Sequence, residues 1–345
     1  MIDSLIAITI RCLLAAAGTG VVVTWVWVVS RASARESILP GRLVDRSAVP
    51  PWDALTVLGA FLAYALLSMG LADLYQVATA RVQARAHAHD FDHDPRAQPL
   101  AHDPAPGGFS NREQMGVHAV SEILLLAILP LTIRRTTGAR WADFGASWVR
   151  WRGQVVLGLG AACMTIPVCF LVQGLAVRVW NSNEHKMATL IREEYSLGTA
   201  AISLLGAVVL APATEELLFR ALLQRWLIGL FHRVARSLDA ISVVESMPDP
   251  DPPPGVSDPL EWDSSGKVSP LGWSLPTWLG ILVTALGFAA VHAPQWPAPI
   301  SLFVFAVVMG IVFQHSGSLI AAIIMHASLN AISTLVMILR AILGD

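Results

Sequence analysis

Eight apolar runs, at residues 12–29, 54–71, 117–133, 155–177, 197–230, 277–291, 300–313 and 318–339, dominate the chain. A helix needs about 20 mostly apolar residues to cross the hydrocarbon core of a bilayer. In lipid only helices and closed barrels satisfy every backbone polar group. The runs therefore predict an all-α polytopic membrane protein of about eight transmembrane helices. Composition agrees: 54% of the 345 residues are hydrophobic and 14% are charged, whereas a soluble protein carries about 25% charged residues. The first run reads as a retained anchor, because Asp3 and a single Arg11 precede it and it exceeds a usual signal-peptide core. As one helix the run at 197–230 would be roughly 50 Å long, so it is expected to kink or to reach beyond the bilayer. Pro167 is expected to kink the run at 155–177.

Two polar segments break the pattern. Residues 81–113 hold His87, His89, His93 and His102 among Asp90, Asp92, Asp94 and Asp103. Residues 239–274 hold Pro248, Pro250, Pro252, Pro253 and Pro254 among acidic and serine residues. Neither composition buries enough apolar surface to fold alone. The first is expected to be a mobile His/Asp-rich loop and the second a disordered insert. The net charge of -2 and the lack of a basic block exclude a nucleic-acid partner. Cys12, Cys163 and Cys169 lie in apolar runs, an odd number that suits neither a disulfide framework nor a zinc finger. Four Arg in loop 30–53, five in 134–153 and three in 225–236 place both termini outside the cytoplasm by the positive-inside rule. Only Lys186 and Lys267 are lysine. That bias, with abundant Ala and Val, fits a GC-rich bacterial genome and hence a bacterial inner membrane.

Ionisable side chains inside a bilayer are costly and rare, so each marks a functional hypothesis. The densest group is Thr214-Glu215-Glu216-Leu217-Leu218-Phe219-Arg220, just after Pro212. On a helix Glu216 and Arg220 stand four apart and can form a bidentate ion pair. Glu215 is rotated by about 100° from Glu216, which leaves one carboxylate for structure and its neighbour for chemistry. The plainer alternative is a helix terminus, with Thr214 as N-cap and two glutamates favoured by the dipole. Phe288 and His292 form a second pair four residues apart, and His326 and Asn330 a third. Each has a structural reading: a hydrogen-bonded helix-end histidine, and interhelical glue. Together, a carboxylate, two histidines and an amide on three helices make an inventory for hydrolysis. A carboxylate or a His/metal centre can activate water, and His and Asn can stabilise an oxyanion. The chain contains neither a Gly-x-Ser-x-Gly elbow nor a His-Glu-x-x-His motif, as serine hydrolases and zincins would.

Glu215-Glu216 with Arg220, Phe288 with His292, and His326 with Asn330, in that order on hydrophobic helices, resemble the CPBP family of intramembrane proteases. That family includes the type II CAAX prenyl endopeptidases and bacterial bacteriocin-processing or immunity-type relatives. The resemblance covers residues 197–339. It implies a catalytic membrane core at 196–345 with the active site inside the helix bundle, preceded by N-terminal membrane helices at 1–195. It further implies that Glu215 activates water with His292, that Glu216 and Arg220 brace the helix, and that His326 and Asn330 orient the carbonyl and stabilise the oxyanion. Were a metal used, Glu215, His292 and His326 would be its ligands, with zinc the expected ion; the lean is towards water activation without metal. The implied partner is a membrane-associated protein or peptide, with prenylation of the substrate left open.

Two alternatives stand beside this reading. One is a divalent-metal or proton transporter, in which the His/Asp-rich loop collects metal and feeds Glu122, Glu215 and His326. The other is a catalytically idle family member acting as an immunity or scaffold protein. His315 falls in a turn and is read as structural.

Overall fold

The computed structural model describes residues 2–34, 39, 41–93, 111–181, 186–193, 195–243 and 273–343. These residues form α1 (Ile2–Ser33), α2 (Ala54–His93), α3 (Asn111–Thr137), α4 (Trp151–Val179), α5 (Lys186–Glu193), α6 (Leu197–Leu204), α7 (Ala211–Glu216), α8 (Arg225–Val243), α9 (Leu275–Val291), α10 (Ala298–Ser316) and α11 (Leu319–Leu343). Two π-helical turns, Leu205–Leu210 and Leu217–Gln224, join α6, α7 and α8 into one winding rod. No strand occurs among the described residues.

Seven helical stretches are long and apolar enough to cross a membrane. The eighth expected span, α9, has 17 residues, short of the length that spans unaided. Every expected run lies inside a helix, and α4 continues through Pro167. Of the loop expected at 81–113, residues 94–110 lie outside the described residues, and both flanks are helical instead. Helix α2 runs on to His93 and α3 begins at Asn111, because Ala, Arg and Gln after residue 80 are good helix formers. Of the expected insert at 239–274, residues 244–272 lie outside the described residues, and the rest is ordered. Helix α8 reaches Val243, and Trp273 is buried against Ile228 and Ile281. The amphipathic α5 was not anticipated.

The parts before and after residue 196 share one core. Leu125, Leu129, Ala162, Ile166, Leu218, Phe219, Phe288, Phe305, Met309 and Met325 belong to a single buried cluster. Small residues let the helices approach. A Cβ on Gly158 of α4 would sit 2.7 Å from the Ala321 carbonyl and 2.9 Å from Ile324 Cβ of α11. Gly317 closes α10 in the left-handed region, at φ 72°, and turns the chain straight into α11. His315, read from the sequence as a turn residue, lies instead in the last turn of α10.

One end of the bundle is tied by polar contacts between loops. Residues 43 and 44 donate backbone N–H groups to the Ser316 carbonyl at 2.8 and 3.1 Å. Buried Arg225 donates to the carbonyls of Asp143 and Ser47. Trp52 stacks on Phe144 with ring centroids 5.1 Å apart. Asp143 accepts from the backbone N–H groups of Ser47 at 3.0 Å and Arg140 at 2.8 Å. Burial alone would raise its carboxyl, but the hydrogen bonds from Arg140 and Ser47 outweigh it and hold the pKa down at about 2, against an ordinary 3.8. A carboxyl held low stabilises the fold above its ordinary value, and that contribution is lost as pH falls through the folded value. We therefore expect thermal unfolding in detergent to show a stability loss between about pH 4 and pH 2. Asp143→Asn should lower stability at neutral pH by about 1–3 kcal/mol and flatten this acid limb.

Candidate active site

The two π-turns flank the six-residue helix α7, Ala211–Glu216, which carries both glutamates. A π-turn displaces the backbone ladder by one residue, and here side chains from distant segments fasten on carbonyls within both turns. Asn330 Nδ2 donates to the Ala207 carbonyl at 2.8 Å, and Trp52 Nε1 donates to the Leu222 carbonyl at 3.2 Å. The rod is continuous through Thr214, so the helix-terminus alternative does not describe this segment.

Glu216 is fully buried and divides its carboxylate between two partners. Oε2 lies 3.1 Å from Arg220 Nε, and Oε1 accepts from His326 Nδ1 at 2.9 Å. The pair with Arg220 is thus not the bidentate one that helical spacing allows, because α11 brings His326 to the other oxygen. The Arg220 guanidinium, also fully buried, lies over the Phe288 ring at 4.9 Å. Phe288 in turn packs edge-on to Phe219 at 5.3 Å and to His326 at 5.6 Å, and tilts against His292 at 4.8 Å. The Phe in the Phe-x-x-x-His spacing is therefore the surface on which an arginine and both histidines rest.

Glu215, one residue earlier, faces the other way. Its Oε2 lies 4.0 Å from His292 Nε2 and 3.9 Å from His326 Nε2, and it has no hydrogen-bond partner among the described residues. His292 spends Nδ1 on the Phe288 carbonyl at 2.8 Å, which leaves Nε2 as an acceptor in the neutral ring. His326 spends Nδ1 on Glu216, so its Nε2 is the free nitrogen. An orphaned carboxylate oxygen and two imidazole nitrogens thus converge on one point. A donor such as water, lying between two acceptors, suits that point.

The metal reading fits less well. Two ligands of one tetrahedral zinc stand about 3.3 Å apart when zinc bonds are about 2.0–2.1 Å, and the separations here are wider. Among the described residues no group of three His, Cys, Asp or Glu is arranged to hold a metal ion. Helix α2 carries His87, His89 and His93, but their side chains, like His102, lie outside the described residues.

The centre opens on a cavity of about 920 Å³ whose lining includes Glu215, His292, His326 and Asn330 together with Ser68, His118 and Glu122. His118 and Glu122 stand four apart, at 3.6 Å. Glu122 stood out in the sequence as an intramembrane carboxylate. His118 did not, although the four-residue spacing that marked Phe288 and His292 marks it too.

Seven bilayer-length helices around an internal cavity define an integral membrane protein. Residues 197–332 match the family described as Type II CAAX prenyl endopeptidase Rce1-like. That segment is under half of the chain, and its similarity to this endopeptidase family agrees with the CPBP resemblance. No curated protein and no solved structure matches the chain.

Breaking a buried ion pair by removing one partner costs about 3–5 kcal/mol. Glu216→Ala and Arg220→Ala should therefore each lower the unfolding temperature sharply, whereas Glu215→Gln leaves it nearly unchanged. The double variant Glu216→Gln/Arg220→Met should recover part of the loss, read by thermal unfolding in detergent.

Proposed function

We propose that the chain is an intramembrane endopeptidase of a bacterial inner membrane that hydrolyses a membrane-associated protein or peptide with a water molecule activated by Glu215 and His292. The observation that carries this reading is the convergence of Glu215 Oε2 with the two histidine Nε2 atoms, inside the segment that matches an endopeptidase family.

In this scheme water donates one hydrogen bond to Glu215 Oε2 and one to His292 Nε2. Glu215 takes a proton as the oxygen attacks the scissile carbonyl. The tetrahedral oxyanion forms beside α11, where two donors are available. One is His326 through Nε2, in the form of the ring that carries a proton on that nitrogen. The other is the second Nδ2 hydrogen of Asn330, whose first is taken by the Ala207 carbonyl. Preorganised donors of this kind act strongly where water is excluded. Glu215 then returns its proton to the leaving amine and the peptide bond breaks. No step requires a metal, and the substrate panel that tests the scheme includes prenylated peptides.

Loss of a general base lowers turnover by about 100-fold to 10,000-fold. Glu215→Gln and His292→Ala in liposomes should therefore lose cleavage of membrane-anchored peptides by at least that lower factor while still folding. A chelator should leave wild-type cleavage intact. Cleavage that persists in Glu215→Gln, or that disappears with chelator and returns with zinc, would contradict the scheme.

A further inference from the structure

The part of the cavity lining contributed by α2 and α3 lies outside the matched segment, and it carries a carboxylate that nothing yet employs. Glu122 of α3 is 1% exposed, and neither of its oxygens has a hydrogen-bond partner among the described residues. Its nearest ionisable neighbour is His118, at 3.6 Å through Nε2, with a side chain half exposed. Gln114, His118 and Glu122 stand at successive four-residue steps on α3, all lining the cavity. On α2, which packs beside α3, Ser68, Ala72 and Gln76 take the same spacing and also line the cavity. The α3 stripe runs from exposed Gln114 and His118 to buried Glu122, so it descends from the mouth to the interior. The lining residues include two carboxylates, Glu122 and Glu215, and neither Arg nor Lys.

A carboxylate buried without a counter-charge costs several kcal/mol, and among the described residues the cavity lining holds no Arg or Lys to offset it. We propose that Glu122, assisted by His118, is a binding subsite for a cationic group of the substrate, a guanidinium or an ammonium. The inference rests on the protease reading, since it takes the cavity as the substrate's channel. On substrate entry the cation meets Glu122 by a charge-assisted hydrogen bond in a water-poor space, which places the chain across the gap towards Glu215. Glu122 does not touch the reacting atoms. It acts on recognition, so its loss should fall on KM rather than kcat.

The test uses the full chain in liposomes and matched membrane-anchored peptides. One pair differs as arginine against citrulline, and the other as free against acetylated N-terminus. The two pairs separate a side-chain cation from a terminal ammonium. Wild type should prefer the cationic member of at least one pair by about tenfold in KM, with kcat little changed. Glu122→Gln should bring that ratio close to one, and Glu122→Asp, which keeps the charge, should retain it. Binding of the same fluorescent peptides to Glu215→Gln protein reports the preference without turnover. Binding selectivity with no wild-type cleavage would therefore sink the protease reading and leave the subsite standing. Equal wild-type KM values within both pairs would overturn the subsite whether or not Glu122→Gln folds, and so would a preference that survives in a folded Glu122→Gln protein.

Discussion

The buried carboxylate of Glu216 is the interaction on which the rest of the centre depends. It is surrounded by protein, with its charge matched by Arg220 at one oxygen and a hydrogen bond from His326 at the other. That single group fixes the ring orientation of His326 on α11 and holds the guanidinium over Phe288 of α9. Three elements that meet only in the folded protein are thereby locked around one anion. A buried pair is weak evidence for net stability, but here it sets direction. With Glu216 committed inward, Glu215 is left facing the cavity.

The division of labour between adjacent glutamates follows from helix geometry and is sharpened by the π-turns on either side. Side chains of neighbouring residues point about 100° apart, so the two carboxylates cannot serve the same partner. The π-turns expose carbonyls that Asn330 and Trp52 then occupy. Asn330 thus has two tasks within reach of one amide: one hydrogen braces the rod below Glu215, and the other remains for a ligand.

How much of this was legible in the sequence depended on the range of the cause. The bilayer-length runs, the four-residue pairs and the tight Gly317 turn are local consequences of helical spacing, and the chain showed each of them directly. The split of the Glu216 oxygens was not visible, because His326 arrives from 110 residues away and turns an expected bidentate pair into a shared one. The π-turns were hidden for the same reason, since their acceptors are satisfied by distant side chains. Polarity misled at residues 81–93, where helix-forming residues carry α2 on through a histidine-rich stretch. The α2 and α3 part of the cavity lining was half legible: Glu122 stood out as a buried carboxylate, but only the packing of α2 and α3 shows that it faces the same cavity as Glu215.

The account's central claim is that Glu215 activates water and never bonds to the substrate. The most direct measurement is a single turnover of a membrane-anchored peptide in H218O, with mass spectrometry of both the product and the protein. Direct attack by water puts one 18O into the new product carboxylate and none into the Glu215 side chain. Product formed without label, or label appearing on Glu215, would show a covalent acyl intermediate and contradict the account.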